Sequence, residues 1–139
     1  MKILVPMVFA AAAFVAPALQ AQEAGHVAAA TDAATQWLAL TDAGKPGDSW
    51  DQGAPAMRAA LTREKWSEVM TAVRTPLGAV TSRKLKSAEH KKSIPGAPEG
   101  EYVIIQYDTE FANKAGASET VVPMRAADGS WQVSGYFIK

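Results

Sequence analysis

The stretch VRTPLGAVTSRKL, residues 73–85, decides the fold, because the apolar pattern changes period inside it. Before it, Trp66, Val69, Met70 and Val73 recur at spacings of three and four, which predicts a helix with those residues on its buried face. After it, β-branched and aromatic residues predict strands. Pro76 and Gly78 stand at the change and end the helix, since proline removes a backbone donor and glycine accepts the left-handed cap geometry. The stretch is therefore a structural elbow. Arg74, in the last turn of the helix, is a cation placed where free carbonyls favour one and needs no ligand.

Working upstream, Thr62 is a good N-cap for that helix and Glu64 puts a negative charge in its first turn. A short helix is expected over Pro55 to Ala60, with Met57, Ala60 and Leu61 sharing a face. GDSWDQG, residues 47–53, reads as a compact turn with Trp50 tucked inward. From Ala24 to Asp42, Val27, Ala30, Ala34, Trp37, Leu38 and Thr41 form one stripe of an amphipathic helix. Gly44, Pro46 and Gly47 stop it.

Downstream, four strands are expected over Val80 to Ala88, Glu101 to Phe111, Ser118 to Arg125 and Trp131 to Ile138. SIPGAPEG, NKAGA and AADGS separate them, the last containing an Asp-Gly pair suited to a tight hairpin. Three helices followed by a four-stranded antiparallel meander predict a single α+β domain, with the helices packed on one sheet face. The four tryptophans, at 37, 50, 66 and 131, are expected in one core cluster.

The chain begins with Lys2 and an apolar run from Ile3 to Leu19, the pattern of a secretory signal peptide. The run falls short of the roughly 20 residues of a spanning helix. Cleavage is expected after Ala18 or Ala21, so residues 1–21 are assigned to the signal and 22–139 to the domain. A periplasmic or secreted protein follows, with no transmembrane segment after cleavage. Roughly 120 mature residues suffice for one core. Cysteine is absent, which excludes disulfides, thiolate metal sites, thiol nucleophiles and a lipoprotein anchor.

The chain carries 14 Lys+Arg and 14 Asp+Glu, so net charge points to no partner. The local basic group Arg83, Lys84, Lys86, Lys91 and Lys92 reads as a solvated strand end; a nucleic-acid surface would need a larger stripe with stacking aromatics. There is no phosphate loop, dinucleotide fingerprint, nucleophile elbow, HExxH pair or calcium loop. His26, near the mature N-terminus, and His90, among lysines, read as exposed, so neither a metal site nor a cofactor is expected.

The weak candidates for ligand binding are polar groups in apolar context: Arg83, Glu119, Tyr107 and Tyr136. Alternation puts Thr81, Arg83 and Leu85 on one face of the first strand, so Arg83 points inward if Leu85 does. Its guanidinium could grip a carboxylate or phosphate ligand, or pair with an internal acid, Glu119 or Glu101. The pairing is the favoured reading, because a buried unpartnered arginine is costly. Asp108 and Glu110 read as solvated acids of the second strand, and the two tyrosines as core.

Taken together, RTPLGAVTSRKL, PGAPEGEYVIIQYDTEF, SETVV and GSWQVSGYFIK, in that order, resemble the bacterial family catalogued as domain of unknown function 4019. The resemblance covers the chain from about Trp37 onward. Its most specific parts are the R-x-P-L-G-x-x-x-x-R elbow and the W-x-V-x-G-Y-F ending. It implies an exported or membrane-associated bacterial protein with no established activity. The order of elements also resembles the cone-shaped NTF2-like superfold, whose members include isomerases, hydratases and many non-enzymes. The first expectation is a non-catalytic domain binding a small molecule, a peptide or an envelope protein. The alternative is a small enzyme of the isomerase, hydratase or hydrolase type, with Tyr107, Tyr136 and Arg83 lining its cavity. Charges on the first strand, SRKLKSAEHKK, read as a guarded edge and leave a homodimer open.

Overall fold

The computed structural model describes residues 16–139. Most of the expected signal segment, residues 1–15, lies outside them. The elements run α1 (Ala16–Asp42), α2 (Pro46–Asp51), α3 (Pro55–Ala60), α4 (Arg63–Leu77), then β1 (Val80–Lys91), β2 (Tyr102–Phe111), β3 (Lys114–Arg125) and β4 (Trp131–Ile138). The strands form one antiparallel sheet in the order β1-β2-β3-β4, with the helices packed on one face. This is the expected α+β meander. No helix among the described residues is long and apolar enough to cross a membrane.

The stripe read on α1 is the buried one: Ala30, Ala34, Trp37, Leu38 and Thr41 are buried and Val27 packs at the edge of the core. The helix begins earlier than Ala24 and continues unbroken past Ala18 and Ala21. In α4 the stripe differs from the expected one. Val69 and Val73 are exposed, and the inward side carries Trp66 and Met70 with the largely covered side chain of Arg74 one turn further on. In α3 only Met57 is buried, while Ala60 and Leu61 face solvent.

GDSWD, residues 47–51, is not a turn but the body of α2, with Pro46 as its first residue, so the described residues form four helices in place of the expected three. Packing accounts for this extra turn of helix. Ser49 is fully buried between α1 and α4; its carbonyl accepts from Trp37 Nε1 at 2.9 Å and its hydroxyl accepts from Trp66 Nε1 at 2.9 Å. Trp50 packs partly buried against the core and donates from Nε1 to the Leu61 carbonyl at 2.8 Å. Buried indole N–H groups need acceptors, and Ser49 of α2 supplies them to Trp37 and Trp66.

The elbow is built as read, with Thr62 capping α4 by accepting from the Lys65 amide at 3.1 Å. Pro76 lies in the last turn, and Gly78 closes the helix at φ 77°, a conformation that suits glycine. The β2–β3 hairpin then locks the corner, through Asn113 N to Leu77 O at 2.9 Å, Ala112 N to Ala79 O at 2.8 Å and Asn113 Nδ2 to Pro76 O at 3.1 Å. That hairpin turns at Ala112 and Asn113, so Lys114 to Ala117 belong to β3 and not to a loop.

Two bulges in β1 set which of its side chains face the helices. Thr81 and Lys86 are extra residues without partners in the β1–β2 register. Val80, Arg83, Leu85, Ala88 and His90 thus stand opposite Phe111, Thr109, Tyr107, Ile105 and Val103, all of them buried. Leu85 shares that face but lies on the edge strand and stays 54% exposed, so it is not a core residue. The core between helices and sheet holds Trp37, Leu38, Trp66, Ile105, Val121 and Trp131 among others.

Candidate functional site

Of the four residues singled out in the sequence, three meet directly. Glu119 projects from β3 to the helix side of the sheet and is 0% exposed. Its Oε1 accepts from Arg83 Nε at 2.8 Å and from the hydroxyl of Thr109. Its Oε2 accepts from Arg83 Nη2 at 3.2 Å and from the hydroxyl of Tyr136. Four donors occupy the roughly four lone-pair positions of one carboxylate. Nothing is left for a substrate to use.

Arg83 continues the network to the helices. Nη1 donates to Asp42 Oδ2 at 2.7 Å and Nη2 to Asp42 Oδ1 at 3.1 Å. Asp42 ends α1 and also accepts from Arg74 Nη2 at 2.8 Å. Arg74 Nη1 donates to Thr41 Oγ1 at 3.0 Å, and its guanidinium lies over the Phe111 ring, 5.1 Å from the centroid. Charges therefore alternate in the order Arg74, Asp42, Arg83, Glu119 and cancel. The chain joins α4, α1, β1 and β3.

The local structure explains why each group is where it is. The bulge at Thr81 turns Arg83 toward the helices, and the register sets it opposite Thr109. Asp42 is held by the end of α1, which Gly44 terminates with a φ of 70°. Glu119 pairs with Tyr107 on β2 and with Ile138 on β4. Tyr136 reaches it from β4 because a bulge at Ser134 keeps both Val133 and Tyr136 on the inner face.

The electrostatics follow from this geometry. Burial opposes ionisation of Glu119, but donation from Arg83, Thr109 and Tyr136 outweighs it and holds the carboxyl below its usual range. Asp42 is likewise lowered, burial being overcome by Arg83 and then Arg74. Burial works against the Arg83 cation too, yet hydrogen bonds to Asp42 and Glu119 leave its pKa raised. Burial, then the neighbouring Glu119 charge, pushes the Tyr136 phenol up. All four groups are thus fixed in their neutral-pH states, which is the reverse of what proton transfer at neutral pH needs.

Tyr107 lies beside this network without bonding to it. It is 5% exposed, burial raises its pKa, and its hydroxyl has no hydrogen-bond partner among the described residues, although Thr35 faces it from α1. Thr35 donates to the Thr31 carbonyl instead. The clefts beside α1, α3 and α4 are lined by other residues than Arg83, Tyr107, Tyr136 or Glu119. Glu101, the other acid considered for Arg83, pairs with Arg125 Nη1 at 3.2 Å. Asp108 and Glu110 are exposed, as expected.

Two readings of the sequence are corrected here. Arg83 is not part of a solvated basic strand end; its side chain is 15% exposed and turned inward, while Lys84, Lys86, Lys91 and Lys92 remain exposed. His90 is not exposed either: the bulge at Lys86 shifts the phase of β1, and its side chain is only 7% exposed. His26 is half-buried on α1 beside it. Sequence reasoning missed Asp42 and Thr109. Thr109 could have been found from the alternation of YDTEF, which puts it on the face of Tyr107 and Phe111.

The surface also carries an apolar groove. Ala54, Pro55 and Ala59 form one wall and Pro98, Met124 and Ala126 the other, around a volume of about 480 Å³. A neighbouring hollow shares Ala59 and Pro98 and extends to Ala60, Ala97 and Tyr102. Arg125 is the charged residue at this groove, and it is tied to Glu101.

The family model described as protein of unknown function (DUF4019) matches residues 33–136. No curated protein and no solved structure matches the chain. The chain belongs to the DUF4019 family.

Proposed function

We propose that this member of the DUF4019 family is an exported, non-catalytic binding domain, which takes an apolar group of a small molecule or peptide into the groove between α3 and the β3–β4 hairpin. The observation that carries this reading is the groove itself, a volume of about 480 Å³ walled by alanine, proline and methionine side chains. Ligand sites are concave and mostly apolar with few polar groups, and this groove has that character. The ionic network supports the same reading from the other side. Its acids and bases are saturated by one another, so they serve to hold the elements together. Export rests on Lys2 and the apolar run from Ile3 to Leu19.

The test is titration of the untagged mature protein with N-phenylnaphthylamine, an apolar dye that brightens on leaving water. Saturable enhancement is expected, lost on replacing Ala59→Glu and kept in Glu68→Gln, a surface control. No enhancement, or equal enhancement in Ala59→Glu, overturns the groove as the site. Export is tested by fusing the full chain to alkaline phosphatase: activity is expected with the native start and lost on deleting residues 3–19. An active fusion after that deletion overturns it.

A further inference from the structure

From the placement of His26, His90 and Glu101 we infer that the protein binds a divalent transition-metal ion between the first half of α1 and the β1–β2 end of the sheet. One imidazole nitrogen of each histidine and one carboxylate oxygen of Glu101 all lie within 4.8 Å of one another. The three come from separate parts of the chain: His26 from α1, His90 from the far end of β1 and Glu101 from the residue before β2. The bulge at Lys86 is what turns His90 toward the other two.

The second observation is the state of His90. Its side chain is 7% exposed, and its Nε2 is buried without a hydrogen-bond partner among the described residues. The nearest carboxylate oxygen, Glu101 Oε2, is 3.8 Å away, too far for a hydrogen bond. That oxygen is already held by Arg125 Nη1 at 3.2 Å. A buried ring nitrogen without a partner carries a real cost, so something belongs there. Trp131 backs both rings, with centroids 5.7 Å from His26 and 6.4 Å from His90, so the site has an apolar wall.

The donor set selects the ion. Two imidazoles and one carboxylate suit Zn²⁺, Cu²⁺ or Ni²⁺, whereas calcium and magnesium prefer all-oxygen ligands. Bond lengths of about 2.0–2.1 Å would draw the ligand atoms together by about 1 Å, a side-chain adjustment. Three protein ligands leave a fourth position for water or an external ligand. Arg125 would stay hydrogen-bonded to Glu101 behind the metal, orienting the carboxylate. Glu23, Glu89 and Lys91 are the other charged residues lining the open groove next to His90. The ion would clip α1 to the sheet edge.

The experiment is calorimetric titration of the untagged mature protein with Zn²⁺, repeated in His26→Ala, His90→Ala and Glu101→Gln. One ion per chain with a micromolar or tighter Kd is expected, reversed by EDTA and accompanied by a higher melting temperature. Each histidine substitution should weaken binding at least tenfold. His26→Ala lies on a helix, where alanine is the best former, so that variant keeps the fold even if His90→Ala does not. No saturable binding by the wild-type protein overturns the inference. So does unchanged affinity in His26→Ala, which would place the ion on the neighbouring Glu23 and Glu89 instead.

Discussion

Arg83 and Glu119 sit two strands apart, and the arginine reaches its carboxylate across β2, over Thr109, with bonds of 2.8 and 3.2 Å. The same guanidinium holds Asp42 at the end of α1, so one side chain fixes the inner face of the sheet to the first helix. Removing it leaves Glu119 fully buried and without its main cation. Breaking a buried pair from one side costs about 3–5 kcal/mol. Arg83→Ala should therefore lose several kcal/mol in urea unfolding, and Arg83→Lys should recover only part, because an ammonium cannot reproduce the two-pronged contacts. An unchanged unfolding midpoint in Arg83→Ala would refute the structural role.

Acid should unfold the protein through the same groups. Glu119 and Asp42 have folded pKa values below their ordinary 4.5 and 3.8. A depressed carboxyl pKa contributes stability that is complete above the unfolded value and is lost as pH falls through the folded one. Stability is expected to hold between pH 7 and about 5 and to fall below about pH 4, with a shallower fall in Glu119→Gln. Circular dichroism at stepped pH measures this. Equal acid midpoints in the two proteins would contradict it.

The elbow depends on one backbone conformation. A methyl group on Gly78 would meet Ala112 Cβ and Asn113 Nδ2, each at 3.1 Å, and the residue would still need a φ of 77°. Gly78→Ala should destabilise by about 1–3 kcal/mol, read as a lower melting temperature. Gly25→Ala, where nothing among the described residues lies within 4 Å and the backbone is helical, serves as the comparison and should be neutral or stabilising.

Ser49 carries a separate load. Its hydroxyl accepts from Trp66 Nε1 and donates to the Pro46 carbonyl at 2.6 Å. Ser49→Ala should cost about 1–3 kcal/mol by leaving a buried indole donor unpaired, while Ser67→Ala, on the exposed side of α4, should cost far less. Thermal denaturation of the two variants separates them.

Much of the architecture was legible because α1, the elbow and the four strands obey simple periods. The stripe from Val27 to Thr41 needed only spacing, and the stop at Pro76 and Gly78 only local chemistry. What was not legible involved residues whose direction is set by long-range register. A strict alternation in β1 puts His90 on the outer face, and the extra residue at Lys86 reverses it. The pairing of Arg83 with Glu119 could be read as the favoured option, but Asp42, 41 residues from Arg83, gave no local sign of its part. The α4 stripe misled for a related reason: Arg74 occupies an inward position where a charge is affordable only because Asp42 meets it.

Arg83 and Glu119 act as one architectural unit, joined by two hydrogen bonds across β2. A double-mutant cycle of Arg83→Met and Glu119→Gln, followed by urea unfolding, measures their coupling directly. The predicted result is a coupling energy of about 1–3 kcal/mol, with the double variant less destabilised than the two single losses combined. Additive losses, with coupling near zero, would contradict it.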